Sequence, residues 1–375
     1  MSEVHFNKEK GSQIKLFTPG PVYVPERVLN EMAKPNDTHR SEPYSEMHQI
    51  AVEGLQKVLY TKNECLLFTS SATGIMEACV RNLIKDDEKA LFISIGAFGD
   101  RWHQVGISNG KNSVKKEVEW GKPIKPDDLQ EELSKDKYSV VFLQSNETST
   151  GVYNPVDEVI PIIKDSGALV CVDATSSMAG VKIEVDKLGI DVCLASVQKC
   201  FALPPGLAVA SVSDAAFDKA SKVKNRGLYF DFGELLKKNK ANQTPNTPSI
   251  PQIRGLVAQL DYFFNQEGLE NRFKRHEQLG KRTRIWARDI NLEMFPEKGY
   301  ESDTVSTMKN SLDIDFSEMV KMMLTNGYRI VNGYGSLVNK TFRIGHMGEI
   351  TVQQLEEMLI VLSDIIAQLQ LKKFK

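Results

Sequence analysis

Between about residue 65 and residue 212, short apolar runs alternate with segments whose apolar residues return every three or four positions. The runs are Cys65–Phe68, Ala90–Ile95, Val140–Leu143, Ala168–Val172, Val192–Ala195 and Leu207–Val212. They are rich in β-branched residues and apolar at successive positions. Both faces must then be buried, which is the pattern of parallel strands inside a layered sheet. The intervening segments, such as Ile75–Ile84, Pro126–Leu133 and Val156–Lys164, each carry one apolar stripe and predict helices. Strand–helix alternation predicts an α/β fold: a mainly parallel sheet with helices on both faces. Ligands of such sheets lie beyond the carboxyl ends of the strands, so chemistry is to be sought just after each run.

The rhythm breaks at Asn225–Pro251, where Pro245, Pro248 and Pro251 cluster, and this stretch reads as an irregular excursion. Past Ile253 the pattern turns helical through Gln259–Phe264 and Gly268–Asp289, and a mixed region, Asn291–Gly348, follows. A last helix is signalled by a capping box, Thr351 with Gln354. Its stripe is Leu355, Met358, Leu359, Leu362 and Ile366. The expected division is an N-terminal arm over 1–15, a large domain over 16–265 and a smaller C-terminal α/β domain over 266–375.

Composition narrows the function. With 47 basic and 49 acidic residues among 375, the net charge is −2, which gives no basic footprint for nucleic acid. No run of 18 apolar residues predicts a membrane span. Met1–Lys10 is polar and lacks an apolar secretory core, so a cytoplasmic location is expected. Of the five cysteines, Cys65, Cys79, Cys171 and Cys193 lie inside apolar segments, and no C-x-x-C pair includes Cys200 or any other. Buried reduced thiols are expected, and no metal site.

Four strand ends carry candidate chemistry. Thr69-Ser70-Ser71-Ala72-Thr73-Gly74 places small hydroxyl residues at a helix start, where free N–H groups and the helix dipole suit a phosphate; a plain N-cap would use the same residues. Gly106–Lys111 lacks P-loop spacing and no G-x-G-x-x-G follows a strand, so an ordinary nucleotide site is not expected. Asp173 ends an apolar run and, once desolvated, wants a cationic partner, although a helix cap or a metal ligand would read alike. Lys199 follows another run. Desolvation there would favour a neutral, nucleophilic amine, although a solvated surface role is the commoner one for a lysine. Arg343, in Thr341-Phe342-Arg343-Ile344-Gly345, can grip a carboxylate through two parallel hydrogen bonds. Together they fit pyridoxal phosphate, which needs an amine for its aldehyde, an acid for its ring nitrogen and a phosphate cup. Lys199 would then hold the cofactor as a Schiff base and later shuttle the Cα proton, while Arg343 fixes the substrate carboxylate.

At these residues the chain resembles the class V aminotransferases of pyridoxal-phosphate fold type I, in particular the alanine–glyoxylate and serine–pyruvate branch. The most specific stretch is Ser196-Val197-Gln198-Lys199 followed by Leu203-Pro204-Pro205-Gly206. Phe17-Thr18-Pro19-Gly20-Pro21, Asn146-Glu147-Thr148-Ser149-Thr150-Gly151 and Val172-Asp173-Ala174-Thr175-Ser176 also look like family motifs. The resemblance implies that Ser71, Ala72, Thr73 and Gln198 hold the phosphate, Thr148 or Ser149 the ring hydroxyl, and Asp173 the ring nitrogen. It implies that Phe98 stacks on the ring, where the branch carries tryptophan. Gly20 would lie against the substrate carboxylate on Arg343, and His39 and Arg40 would line the mouth. Asn246 and Thr247 would reach the phosphate site of a second subunit, implying a homodimer with shared sites; Thr244 replaces a tyrosine that often precedes this contact.

The reaction so implied is transamination between a small 2-amino acid, alanine or serine, and a small 2-oxo acid, glyoxylate or pyruvate. Phosphoserine is the rival donor, its phosphate served by His39, Arg40 and Arg101. In the alternative view His39 and Arg40 only shape a loop. A lyase such as a cysteine desulfurase fits less well, because Gln198 stands where those enzymes carry histidine and no cysteine follows Cys200. A non-catalytic subunit of this fold would be marked by loss of the lysine or the acid, and both are present.

Overall fold

The computed structural model describes residues 14–372. Its centre is a seven-stranded sheet in the order Glu64–Phe68, Ala208–Val212, Val192–Ser196, Leu169–Asp173, Tyr138–Gln144, Lys89–Ser94, Asn112–Glu117. All pairings are parallel except those of Ala208–Val212, which runs antiparallel to both neighbours. Each apolar run lies in a strand, with ends within two residues of those expected. The two-sided burial that made them legible is visible in the packing. Leu91, Ile93, Val141, Leu143, Val170 and Val172 enter one apolar cluster, and Ala90, Phe92, Val140, Phe142 and Cys171 enter the other.

The helices Glu26–Met32 and Glu42–Leu59 precede the region where the alternation was read, and two later elements were missed within or just after it. Asn112–Glu117 (NSVKKE) is an edge strand with one apolar residue, Val114, so no run marks it. The stretch 225–251, expected to be irregular, contains the helix Phe232–Asn239. Asp231 caps it, accepting from the N–H groups of Gly233 (2.8 Å) and Glu234 (3.3 Å), while Phe232 and Leu235 turn inward. The last proline of the stretch, Pro251, lies in the first turn of the next helix, Ile250–Asp261, where a missing N–H costs nothing. A single π turn, Tyr262–Glu267, joins that helix to Leu269–Asp289.

A separate apolar cluster joins the long helix Leu269–Asp289 to an antiparallel sheet of Val305–Lys309, Thr341–Gly345 and Val331–Asn332 and to the helices Phe316–Thr325 and Val352–Lys372. The last helix starts with the expected box: Gln354 N–H donates to Thr351 Oγ1 (3.2 Å) and Thr351 N–H to Gln354 Oε1 (3.0 Å). Its predicted stripe is buried. The five cysteines are buried and unbridged. Among the described residues no helix is long and apolar enough to cross a membrane. The first thirteen residues, most of the expected N-terminal arm, lie outside the described residues.

Candidate active site

The carboxyl ends of the parallel strands open into a cavity of about 330 Å³. The strand Val192–Ser196 delivers Lys199, which is 7% exposed, and the strand Leu169–Asp173 ends on Asp173, 4% exposed. The Lys199 ammonium donates to Thr148 Oγ1 (2.9 Å) and lies 5.5 Å from the centre of the Phe98 ring. Burial pulls the Lys199 pKa down to about 8, against the opposing pull of Asp173. Burial pushes the Asp173 carboxyl up, resisted by hydrogen bonds from Thr175 and by Lys199 and Arg101. Both Thr175 donors, its N–H (2.8 Å) and its hydroxyl, go to Oδ1. Among the described residues no donor reaches Oδ2, so this buried acid keeps one oxygen for a ligand N–H.

Gly20 closes on Lys199 from the N-terminal loop. Its φ is +93°, and a Cβ there would lie 2.8 Å from Lys199 Cγ, so only glycine leaves the lysine its place. Ser71, Ala72 and Thr73 begin the helix Ala72–Leu83, and the Ser71 side chain does not cap it. The Gly74 N–H turns back to the Ser71 carbonyl (3.0 Å), whereas among the described residues no partner is seen for the N–H groups of Ala72 and Thr73, and Ser71, Ala72 and Thr73 line the cavity. Gln198 Oε1 accepts from the Ser196 hydroxyl at 2.5 Å. Arg343, on the strand Thr341–Gly345, donates through Nη1 to the Thr148 carbonyl and through Nε to that of Asn332, both at 3.2 Å. Burial lowers its pKa to about 10, with Glu147 pulling the other way. Among the described residues it has no carboxylate partner, and a guanidinium so placed is ready for an anion.

Of the residues singled out in the sequence, Gly20, Ser71, Ala72, Thr73, Phe98, Thr148, Asp173, Gln198, Lys199 and Arg343 line this one cavity. Ser149 does not. Its hydroxyl donates to Glu147 (2.7 Å), which leaves the pocket-facing hydroxyl to Thr148. Asn246 and Thr247 are exposed and line a separate crevice with Thr69, Tyr229 and Phe230. Arg40 is tied to its own chain: its guanidinium donates to Gln243 Oε1 (2.9 Å) and to the carbonyls of Thr244 (2.8 Å) and Pro245 (3.2 Å). Arg40 therefore pins the proline-rich segment, and neither it nor His39 lines the cavity of its own chain. A larger groove, about 620 Å³, runs past Arg27, Ile50, Lys57, Arg254 and Phe264 and contains none of these residues.

Tyr334 was not foreseen. Its ring stacks on Phe98 at 5.6 Å and 21°, its hydroxyl accepts from Arg101 Nη2 at 2.9 Å, and the Arg343 guanidinium lies 5.5 Å from its ring centre. The only signal was a tyrosine between two glycines, Gly333-Tyr334-Gly335. Met76, Val331 and Thr175 also line the cavity unannounced.

These groups fit pyridoxal phosphate on their own chemistry: a lysine whose pKa burial lowers, an acid with an oxygen that no donor among the described residues reaches, a helix start without a side-chain cap and an aromatic ring on the cavity wall. The class-V aminotransferase family profile matches residues 14–325. The serine–glyoxylate aminotransferase of Methylorubrum extorquens is 32% identical, over 89% of this chain and 86% of its own. The L-aspartate–glyoxylate aminotransferase of Paracoccus denitrificans is also 32% identical, over 91% of this chain and 88% of its own. In fold, the chain superposes on the alanine–glyoxylate aminotransferase of Nostoc sp. with a TM-score of 0.91 at 24% identity, covering 97% of this chain and 98% of that one.

Proposed function

The chain belongs to the class-V aminotransferase family and is a pyridoxal-phosphate-dependent transaminase, and from that premise we propose that it moves the amino group of alanine or serine onto glyoxylate or pyruvate, with Lys199 as the amine that takes the cofactor's aldehyde. One observation supports the reading above others. A single cavity holds the buried Lys199 amine, the open oxygen of Asp173 and an Arg343 with no carboxylate partner among the described residues. The cofactor, when bound, supplies the aldehyde and an electron sink for the bond broken at Cα.

The chain's own residues do the rest. Ser71, Ala72 and Thr73 offer N–H and hydroxyl donors to the phosphate, with Gln198 beside them. Asp173 holds a proton on the ring nitrogen, and Thr148 meets the ring hydroxyl. Arg343 takes the substrate carboxylate and so sets the direction of the Cα–H bond. Lys199 would carry that proton between Cα and the cofactor carbon two bonds away, work suited to an amine whose pKa is near 8. Exposed Asn246 and Thr247, outside their own chain's cavity, are assigned to the phosphate of a second subunit in a homodimer. Phosphoserine is served less well, because Arg40 is engaged by backbone carbonyls.

A second reading, an acidic donor such as aspartate, is favoured by Arg101. This cation lines the cavity with no carboxylate partner among the described residues, held only by the Tyr334 hydroxyl and the face of Phe98, 4.8 Å away. The family includes an aspartate-using relative. Adding single amino acids to the cofactor-loaded protein and following the loss of its visible absorbance tests both readings. Alanine or serine should react fastest on the first reading and aspartate on the second. On the second, Arg101→Met should lower the aspartate-to-alanine ratio of kcat/KM by at least about tenfold, the worth of one charge-assisted pair. An unchanged ratio removes Arg101 from substrate choice, and no reaction with any amino acid sinks the whole proposal.

A further inference from the structure

The helix Ala97–Ser108 carries Phe98 at its start, yet its own sequence cannot cap it. The residue before it, Gly96, has no side chain, and a Cβ there would lie 2.4 Å from Glu147 Cγ. The missing acceptors come from the short strand Asn146–Glu147 and the turn after it, about fifty residues away. Glu147 Oε2 accepts from the N–H groups of Phe98 (3.0 Å) and Gly99 (3.2 Å), and Ser149 Oγ accepts from that of Ala97 (3.0 Å). Ser149 in turn gives its N–H (2.9 Å) and its hydroxyl (2.7 Å) to Glu147 Oε1. One fully buried carboxylate thus takes four hydrogen bonds, and N–H dipoles at a helix start hold its charge.

The next residue is Thr148. Its hydroxyl accepts from Lys199 and its carbonyl from Arg343. We propose that Glu147 is the positioning residue of the cofactor site: its carboxylate fixes both the helix start that aims the Phe98 ring and the peptide that aims the Thr148 hydroxyl at Lys199. This rests on the reading that Phe98 and Lys199 serve the cofactor, and it gives a task to a buried acid that no step of the reaction uses. The task calls for a carboxylate, since all four partners donate. An amide would turn a donor toward donors.

The test uses the full-length protein stripped of cofactor and titrated with pyridoxal phosphate. Glu147→Gln should bind it at least about tenfold more weakly, the consequence of orphaning buried donors. The visible circular-dichroism band of the bound cofactor, which reports a fixed ring, should weaken with it. In a Phe98→Ala background the same change should cost less, because the ring it aims is gone. Ser149→Ala, which removes one link and keeps the charge, should act in the same direction with smaller size, and it serves if Glu147→Gln does not fold. Wild-type affinity and an unaltered band in both variants, or losses that multiply fully with Phe98→Ala, would overturn the proposal. Borohydride labelling of wild-type Lys199 separates the cases. Absence of the label defeats the functional reading, whereas a normal label beside an indifferent Glu147→Gln defeats only the positioning role.

Discussion

Lys199→Ala is expected to lower transamination by on the order of 10⁴-fold or more, because on the proposed reading it removes both the covalent anchor and the proton-transfer group. Borohydride treatment of the loaded wild-type protein followed by peptide mapping should place the pyridoxyl label on Lys199. The same side chain makes a pH prediction. Only the neutral amine attacks an aldehyde. Burial penalises the ammonium form more than Asp173 favours it, so the pKa drops to about 8 from an ordinary value of 10.5. The rate at which cofactor-free protein combines with pyridoxal phosphate should therefore rise with pH and level off above a midpoint near 8. A midpoint near 10.5 would show the amine to be solvated, and a label on another lysine would move the chemistry elsewhere.

What made the site legible was its place at the strand ends. Lys199, Asp173 and Ser71–Thr73 each follow a run buried on both faces, and such runs announce themselves by apolar residues at successive positions. Asn112–Glu117 gave no such sign, because an edge strand with solvent on one side tolerates Lys115, Lys116 and Glu117. The helix Phe232–Asn239 was hidden by the prolines after it, although Asp231 was there as its cap. Tyr334, and its contact with Arg101, were out of reach for another reason. They meet across 233 residues, and that contact depends on how the small antiparallel sheet packs over the strand ends, which no local pattern records. Ser149 shows the limit of reading by motif. Its neighbour Thr148 faces the cavity, and one step along a chain turns the side chain away. Glu147 was visible within its motif, but capping a helix some fifty residues upstream leaves no trace in spacing.

Asp173→Ala should lower kcat by about 10²–10³-fold, the usual consequence of deleting one preorganised charge from a site closed to water. The two oxygens of this acid have different employment: Thr175 holds Oδ1, and Oδ2 awaits a donor. Left without that donor, the carboxyl is pushed toward its neutral form by burial. On the proposed reading Asp173 would hold a protonated ring nitrogen at Oδ2, which would reverse the balance and keep the acid ionised. The loss should therefore fall on the chemical step, with the cofactor still attached at Lys199 and KM for the amino donor little changed, since Arg343 is untouched. An N-methylated cofactor separates charge from geometry. Its ring nitrogen is positive without a proton, and the alanine leaves room for the methyl group, so part of the lost rate should return in Asp173→Ala and not in Lys199→Ala. Full kcat in Asp173→Ala with the natural cofactor would leave the buried acid with a structural role alone. A loss that the methylated cofactor does not relieve would mean that Asp173 acts through the shape of the pocket and not through its charge.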